Sequence, residues 1–145
     1  MTPPGKKIKV ATTSLAGCFG CHMSFLDIDE RLFTLLDYIE FDRSPLTDIK
    51  EVHPECDIGI IEGGLCNAEN VHVLRDFRKN CKILIAIGAC AIAGGPYLGH
   101  PEVAGGAGAV VPVDLWVPGC PPHPLTMLDG MLRLLGRLES AGESR

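Results

Sequence analysis

DIGIIEGG, residues 57–64, is the stretch that decides how this chain folds. Ile58, Ile60 and Ile61 make an apolar run too short for a helix, and two glycines close it. Such a run reads as a strand buried on both faces, the kind found in parallel sheets. KILIAIGAC, residues 82–90, repeats the pattern, and KIKVATTS, residues 7–14, is a β-branched run that ends at a glycine-bearing loop. YIEFDRS, residues 38–44, reads as a short further strand, and VDLWVPGCPP, residues 113–122, as a last strand entering a proline-rich turn.

Helical spacing lies between these runs. After the first strand, Phe25, Ile28, Leu32, Leu35, Leu36 and Ile39 recur on one face, with Ser24 and Asp27 set as a capping box. In residues 67–80, Val71, Leu74, Phe77 and the following Cys81 share a face, and Asn67 is the expected N-cap. HPLTMLDGMLRLLGRLE, residues 123–139, closes the chain as a helix with Pro124 in its first turn. Its expected inward positions are Leu125, Leu128, Leu132, Leu135 and Leu138. The glycine-rich residues 94–111 show no periodicity and read as a flexible surface loop, not a phosphate cradle. Strand–helix alternation with buried strands predicts an α/β fold with a doubly wound, mostly parallel sheet, helices on both faces, and one domain over residues 1–145.

In such a sheet ligands bind at the carboxyl ends of the strands. That rule turns scattered positions into neighbours. Cys18 and Cys21 follow the first strand, Glu62 ends the third, Cys90 follows the fourth and Cys120 the last. Four thiols reaching one edge from three loops suit an iron–sulfur cluster or a structural zinc. A thioredoxin-like dithiol needs only Cys18 and Cys21 and leaves the other two unexplained. Gly20, Gly88 and Gly119 lie where backbone N–H groups could approach sulfur.

The remaining cysteines read differently. Cys56 and Cys81 belong to apolar surroundings and are expected as core thiols, and Cys66 as a bystander past the edge. His22 and His123 flank candidate ligands, close enough to hydrogen-bond a cluster sulfur or relay a proton, but the expected role of both is that of solvated or capping residues. His53, His72 and His100 carry no signal. The net charge of −5 with no basic run argues against nucleic acid or an anionic membrane as partner. The start MTPPGKKIKV has no signal-peptide pattern, and no apolar run is long enough to span a bilayer, so a cytoplasmic location is expected. Seven cysteines in that compartment point to metal, redox or packing roles and not to structural disulfides.

CFGC at 18–21, EGG at 62–64, GAC at 88–90 and PGCPP at 118–122 together resemble the small subunit of nickel–iron hydrogenases. CHMSFLDIDERL, SPLTDIK and IEGGLCNAENVHVLRDFR most resemble its cytoplasmic NAD-reducing, bidirectional group. The likeness runs from Ile8 to about Leu138. It implies a flavodoxin-like fold and one proximal [4Fe–4S] cluster on Cys18, Cys21, Cys90 and Cys120. It also implies a large-subunit partner that owns the nickel–iron centre, and an NAD(P)-reducing module of flavin and iron–sulfur subunits that receives the electrons. An FMN near the cluster is also allowed, though no short motif locates it.

Three features depart from the wider family. Met23 stands where many relatives carry Glu, so their proton route does not transfer. No second cysteine-rich domain follows the last helix, so medial and distal clusters are expected to be absent. The segment between Gly95 and Trp116 is shorter than in the NAD-reducing group. Glu62 has two readings: it accepts backbone N–H groups of a neighbouring turn, or its charge acts on the cluster or accepts a proton. The alternative function is the cluster-bearing subunit of a complex I-like quinone oxidoreductase, which shares GAC and PGCPP. That family uses adjacent cysteines in the first motif, whereas Phe19 and Gly20 separate them here.

Overall fold

The structure is a computed structural model. It describes residues 5–143, with side chains described through residue 136. Five strands, β1 (Ile8–Ser14), β2 (Ile39–Phe41), β3 (Cys56–Glu62), β4 (Cys81–Ile87) and β5 (Leu115–Val117), form one sheet in the order β2-β1-β3-β4-β5. All four pairings are parallel. This is the flavodoxin-like order, and it reverses direction between β1 and β3.

The strands alternate sides as a doubly buried sheet requires. Val10, Ile58, Ile60, Ile85 and Ile87 face one layer, where they pack on Phe25, Leu35, Met127, Met131 and Leu135. Those residues come from α1 (Gly20–Leu26), α2 (Arg31–Leu35) and α5 (Pro124–Glu143). Ala11, Ile61, Leu84 and Ala86 face the other layer, where α3 (Ala68–Asn80) brings Leu74 and Phe77 and α4 (Gly88–Ala93) brings Ala91. The crossovers from β1 and from β3 therefore leave on opposite faces, and a crevice opens between the carboxyl ends of those two strands.

Asn67 caps α3 as expected, its side chain accepting Asn70 N–H at 2.8 Å. Other expectations need correction. The helix after β1 starts at Gly20, not at Ser24, and is broken into α1 and α2 near Asp29, which sits at φ 55°. Ser24 is buried within α1, and its hydroxyl donates to Pro122 O at 2.6 Å instead of capping. Cys81 is not the last helical residue but the first of β4. It takes up extended backbone directly after α3, and Arg78 ties the junction through Cys81 O and Lys82 O.

On α5 the inward residues are Met127, Met131 and Leu135, while Leu125 and Leu132 are exposed and Leu128 is half-buried. The leucines and the methionines both fit helical spacing, and methionine fills the groove over the sheet. Leu138 lies outside the described side chains. Residues 94–111 are not a flexible loop throughout: Ala107 and Val111 are buried, and Leu65 pairs with Gly105 O and Ala104 N–H. Residues 96–102 are the longest exposed stretch within it. Among the described residues no helix is long and apolar enough to cross a membrane.

Candidate metal centre

The carboxyl edge gathers the cysteines from three directions. Cys18 and Cys21 lie in the turn from β1 into α1, Cys90 lies in α4 directly after β4, and Cys120 lies in the turn after β5. All four thiols are free and line one recess with Gly17, Gly20, Glu62, Gly63, Ala89, Gly119 and Pro121. The recess is a cavity of about 70 Å³ that opens to solvent. Cys18 and Cys120 are exposed at its rim, and Cys21 and Cys90 are half-buried deeper in. Among the described residues no three Cys, His, Asp or Glu side chains close on a single-ion position.

Hydrogen bonds tie the turn after β5 to the other two and brace the first turn internally. Ala89 N–H donates to Gly119 O at 2.8 Å, Ser24 Oγ to Pro122 O at 2.6 Å, and Gly20 N–H to Cys18 Sγ at 3.4 Å. Gly88 holds φ 82°, and a Cβ there would run into Cys21 Sγ. Only glycine allows β4 to turn into α4 so close to that sulfur.

Burial pushes the Cys21 thiol up to about 12, helped by the Glu62 carboxylate and by Cys18 and Cys90. Cys90 is raised as well, first by burial and then by Cys120, Cys18, Glu62 and Cys66. Left bare, these two deeper thiols therefore hold their protons. A polynuclear cation would reverse that balance, since metal binding releases thiol protons and satisfies thiolates. Four free cysteines around a glycine-lined recess are a donor set that fits an iron–sulfur cluster.

Glu62 is buried and its two oxygens are engaged separately. Oε2 accepts Cys21 N–H at 3.0 Å, and Oε1 lies 2.7 Å from Nδ1 of His22, itself only 2% exposed. Burial alone would raise the Glu62 carboxyl, but His22, Ser14 and Cys21 outweigh it and bring it below the ordinary value.

The family model described as NADH ubiquinone oxidoreductase, 20 Kd subunit, matches residues 18–134, a span that begins on the first of the four cysteines and includes the other three. The chain belongs to this family. Within it, the similarity lies on the hydrogenase side. The chain is 41% identical over 152 residues to the delta subunit of the NAD-reducing hydrogenase HoxS of Cupriavidus necator, covering 80% of this chain and 73% of that one. A crystal structure of an NAD+-reducing [NiFe]-hydrogenase in the H2-reduced state superposes with a TM-score of 0.81 at 44% identity, covering 90% of this chain and 92% of the other. A subunit of the F420-non-reducing hydrogenase vhu of Methanococcus voltae is 32% identical over 89% of this chain. The chain spans about half of that protein's length, 56%.

Seen as a member of this family, the chain places its other candidate residues as follows. Cys56 and Cys81 lie at the opposite, amino edge of the sheet, buried. Cys66 is half-buried just past β3, and its N–H donates to Asn70 Oδ1. His123 is exposed and accepts Leu125 N–H at 3.1 Å, a capping contact at the start of α5. His22 is the residue that sequence reasoning undervalued: it is neither solvated nor capping but buried against Glu62. The available signal was its place directly after Cys21, opposite a carboxylate on the neighbouring strand end.

Proposed function

We propose that this chain is the electron-transferring small subunit of a cytoplasmic nickel–iron hydrogenase of the NAD-reducing type, and that Cys18, Cys21, Cys90 and Cys120 hold one [4Fe–4S] cluster. The observation that carries this reading is the recess itself, where four free thiols from three strand ends meet in one glycine-lined space. When bound, such a cluster takes up and passes on single electrons, which suits a step in which H2 yields two protons and two electrons. The protein's part is to hold the four sulfurs, to bury the inner pair and to leave the outer pair at a surface that a partner covers. The whole chain works as a single cluster-binding domain.

The partner in this reading is a large subunit that owns the nickel–iron centre. Exposed Cys18 and Cys120 belong to the recess it would close. Apolar residues stand exposed on the same segments: Met23 two residues past Cys21, and Tyr97 and Leu98 just beyond Gly95, whose Cβ position abuts Cys90 Sγ. A surface that completes another subunit's active site has the character of an obligate interface, roughly 2,000 Å² or more. Flavin- and iron–sulfur-containing NAD(P)-reducing subunits would then receive the electrons. Glu62, inside the recess, adds a negative charge beside the cluster and so lowers its potential. For the FMN that the resemblance allows, no side chain among the described residues singles itself out.

Anaerobic co-purification tests the reading. The expected result is a complex with a nickel-containing large subunit, about four irons per copy of this chain in a cubane assigned to it, and hydrogen-dependent reduction of a nicotinamide acceptor. A nickel-free complex that reduces quinone would move the chain to the complex I side of its family. A zinc-loaded, colourless protein would overturn both.

A further inference from the structure

The CFGC turn depends on a residue outside the four cysteines. Phe19 sits at φ 66°, a left-handed conformation that a side chain with a Cβ adopts only under strain. Its ring lies flat on the imidazole of His22, with centroids 4.8 Å apart and planes 6° from parallel. That imidazole is in turn fixed on both sides. An ionised carboxylate only accepts, so Nδ1 carries the proton toward Glu62 Oε1 at 2.7 Å. Nε2 is hydrogen-bonded to the Thr12 hydroxyl at 2.9 Å. Thr12 Oγ1 lies 2.7 Å from Ser44 Oγ, which itself accepts Leu46 N–H at 3.2 Å. One chain of hydrogen bonds therefore runs from the loop after β2 through β1 to the carboxylate. The far oxygen of Glu62 accepts Cys21 N–H at 3.0 Å.

The geometry points to His22 as a positioning residue for the Cys18–Cys21 turn, anchored by Thr12 and acting at two points: as a platform under Phe19, and through Glu62 on the backbone of Cys21. It touches neither the recess nor a cysteine sulfur in this role. A histidine that merely filled the core would need neither a partner on each ring nitrogen nor the flat stack on the one strained residue of the turn. The inference builds on the cluster assignment to Cys18 and Cys21, yet its first readout needs no cluster.

The test uses Thr12→Val, Thr12→Ser and His22→Phe in the full chain, within its purified complex, before and after removal of iron. His22→Phe keeps an aromatic platform and removes both hydrogen bonds; Thr12→Val removes only the far anchor at nearly constant shape. Amide hydrogen exchange at Cys21 is the primary measurement, with Ile60 in β3 as the control for general loosening. In Thr12→Val, Cys21 exchange is expected to speed up tenfold or more while Ile60 stays unchanged, and Thr12→Ser is expected to restore the slow rate. The reduced, iron-loaded Thr12→Val protein is expected to show a broadened or shifted electron paramagnetic resonance signal. Wild-type exchange at Cys21 in both Thr12→Val and His22→Phe would overturn the proposal. If His22→Phe fails to fold, Thr12→Val decides alone. A wild-type protein without iron would instead refute the cluster assignment and leave the exchange measurement to judge His22.

Discussion

Two sets of cysteines sit at opposite edges of the same sheet, and their surroundings could hardly differ more. At the amino ends of β3 and β4, Cys56 and Cys81 are register partners, 0% and 4% exposed. The Cys56 thiol lies 3.4 Å from Lys9 O and from Ile58 O. A hydrogen bond with Cys56 and burial push the Cys81 thiol upward, so it stays protonated. At the carboxyl ends, Cys18, Cys21, Cys90 and Cys120 border open space edged by glycine. The comparison teaches that residue type says little here. The end of the strand says more, because amino ends meet the apolar layers whereas carboxyl ends at the switch point are left without a covering helix.

The sharpest way to break that contrast is to remove one thiol of the carboxyl set, with Cys66 just past β3 as the control. Serine at Cys18, Cys21, Cys90 or Cys120 is expected to abolish the four-iron signal and cut hydrogen-dependent acceptor reduction by at least about 100-fold, a loss of roughly 3 kcal/mol in transition-state terms. The same change at Cys66 is expected to leave iron content within error of wild type. Iron analysis with low-temperature electron paramagnetic resonance of each purified complex decides it. A full cubane signal in the Cys120→Ser protein would remove that residue from the ligand set.

The layered fold and this contrast were legible in the sequence for a physical reason. Buried parallel strands must be continuously apolar, so Ile58–Ile61 and Ile83–Ile87 announce themselves, and the loops after them inherit one edge. The edges of helices were less legible. Ser24 and Asp27 have the spacing of a cap, but a left-handed Phe19 starts the helix four residues earlier, and no sequence pattern marks a positive φ at phenylalanine. The α5 register was ambiguous because Leu125–Leu128–Leu132 and Met127–Met131 both fit one helix with Leu135, which is buried as expected. Short α4 escaped because six residues give less than two turns of periodicity. His22 was hidden for a different reason: its partners Glu62 and Thr12 are 40 and 10 residues away, and only the strand pairing brings them together.

A second substitution pair sharpens the comparison from the other end of the sheet. Cys56→Ala and Cys81→Ala each remove one buried sulfur from a packed layer, for an expected loss of about 1–2 kcal/mol and a melting temperature lower by about 3–6 °C. Iron content and the resonance signal of the complex are expected to be unchanged. Thermal unfolding followed by circular dichroism, beside iron analysis on the same preparations, reads both quantities. Loss of iron in either variant would erase the distinction between the two ends.

The smallest expected effect lies one residue along from that pair. Asp57 and Lys82 follow Cys56 and Cys81 on the same two strands, and Lys82 Nζ meets Asp57 Oδ1 at 2.6 Å while Lys9 N–H donates to Oδ2 at 3.0 Å. Burial alone would raise the Asp57 carboxyl, but Lys82 and the Lys9 amide outweigh it and bring it below the ordinary carboxylate range. Lys82 is shifted upward, chiefly by its hydrogen bond to Asp57. The Lys82 side chain is 68% exposed, so the pair is worth about 0.5 kcal/mol, as surface ion pairs are. Asp57→Asn keeps an oxygen for Lys9 N–H and removes only the charge. For a depressed carboxyl the stabilisation is complete above the unfolded value of about 3.9 and fades as pH falls through the lower folded value. For a raised ammonium it is complete below about 10.4 and fades as pH climbs through the higher folded value. The gap between wild type and Asp57→Asn in urea unfolding is therefore expected to stay flat from about pH 5 to 9, to close at both extremes, and to shrink in about 1 M salt. A gap independent of pH and salt would show that Asp57 acts through packing and hydrogen bonding, and that charge contributes as little at the amino edge as the neighbouring thiols do.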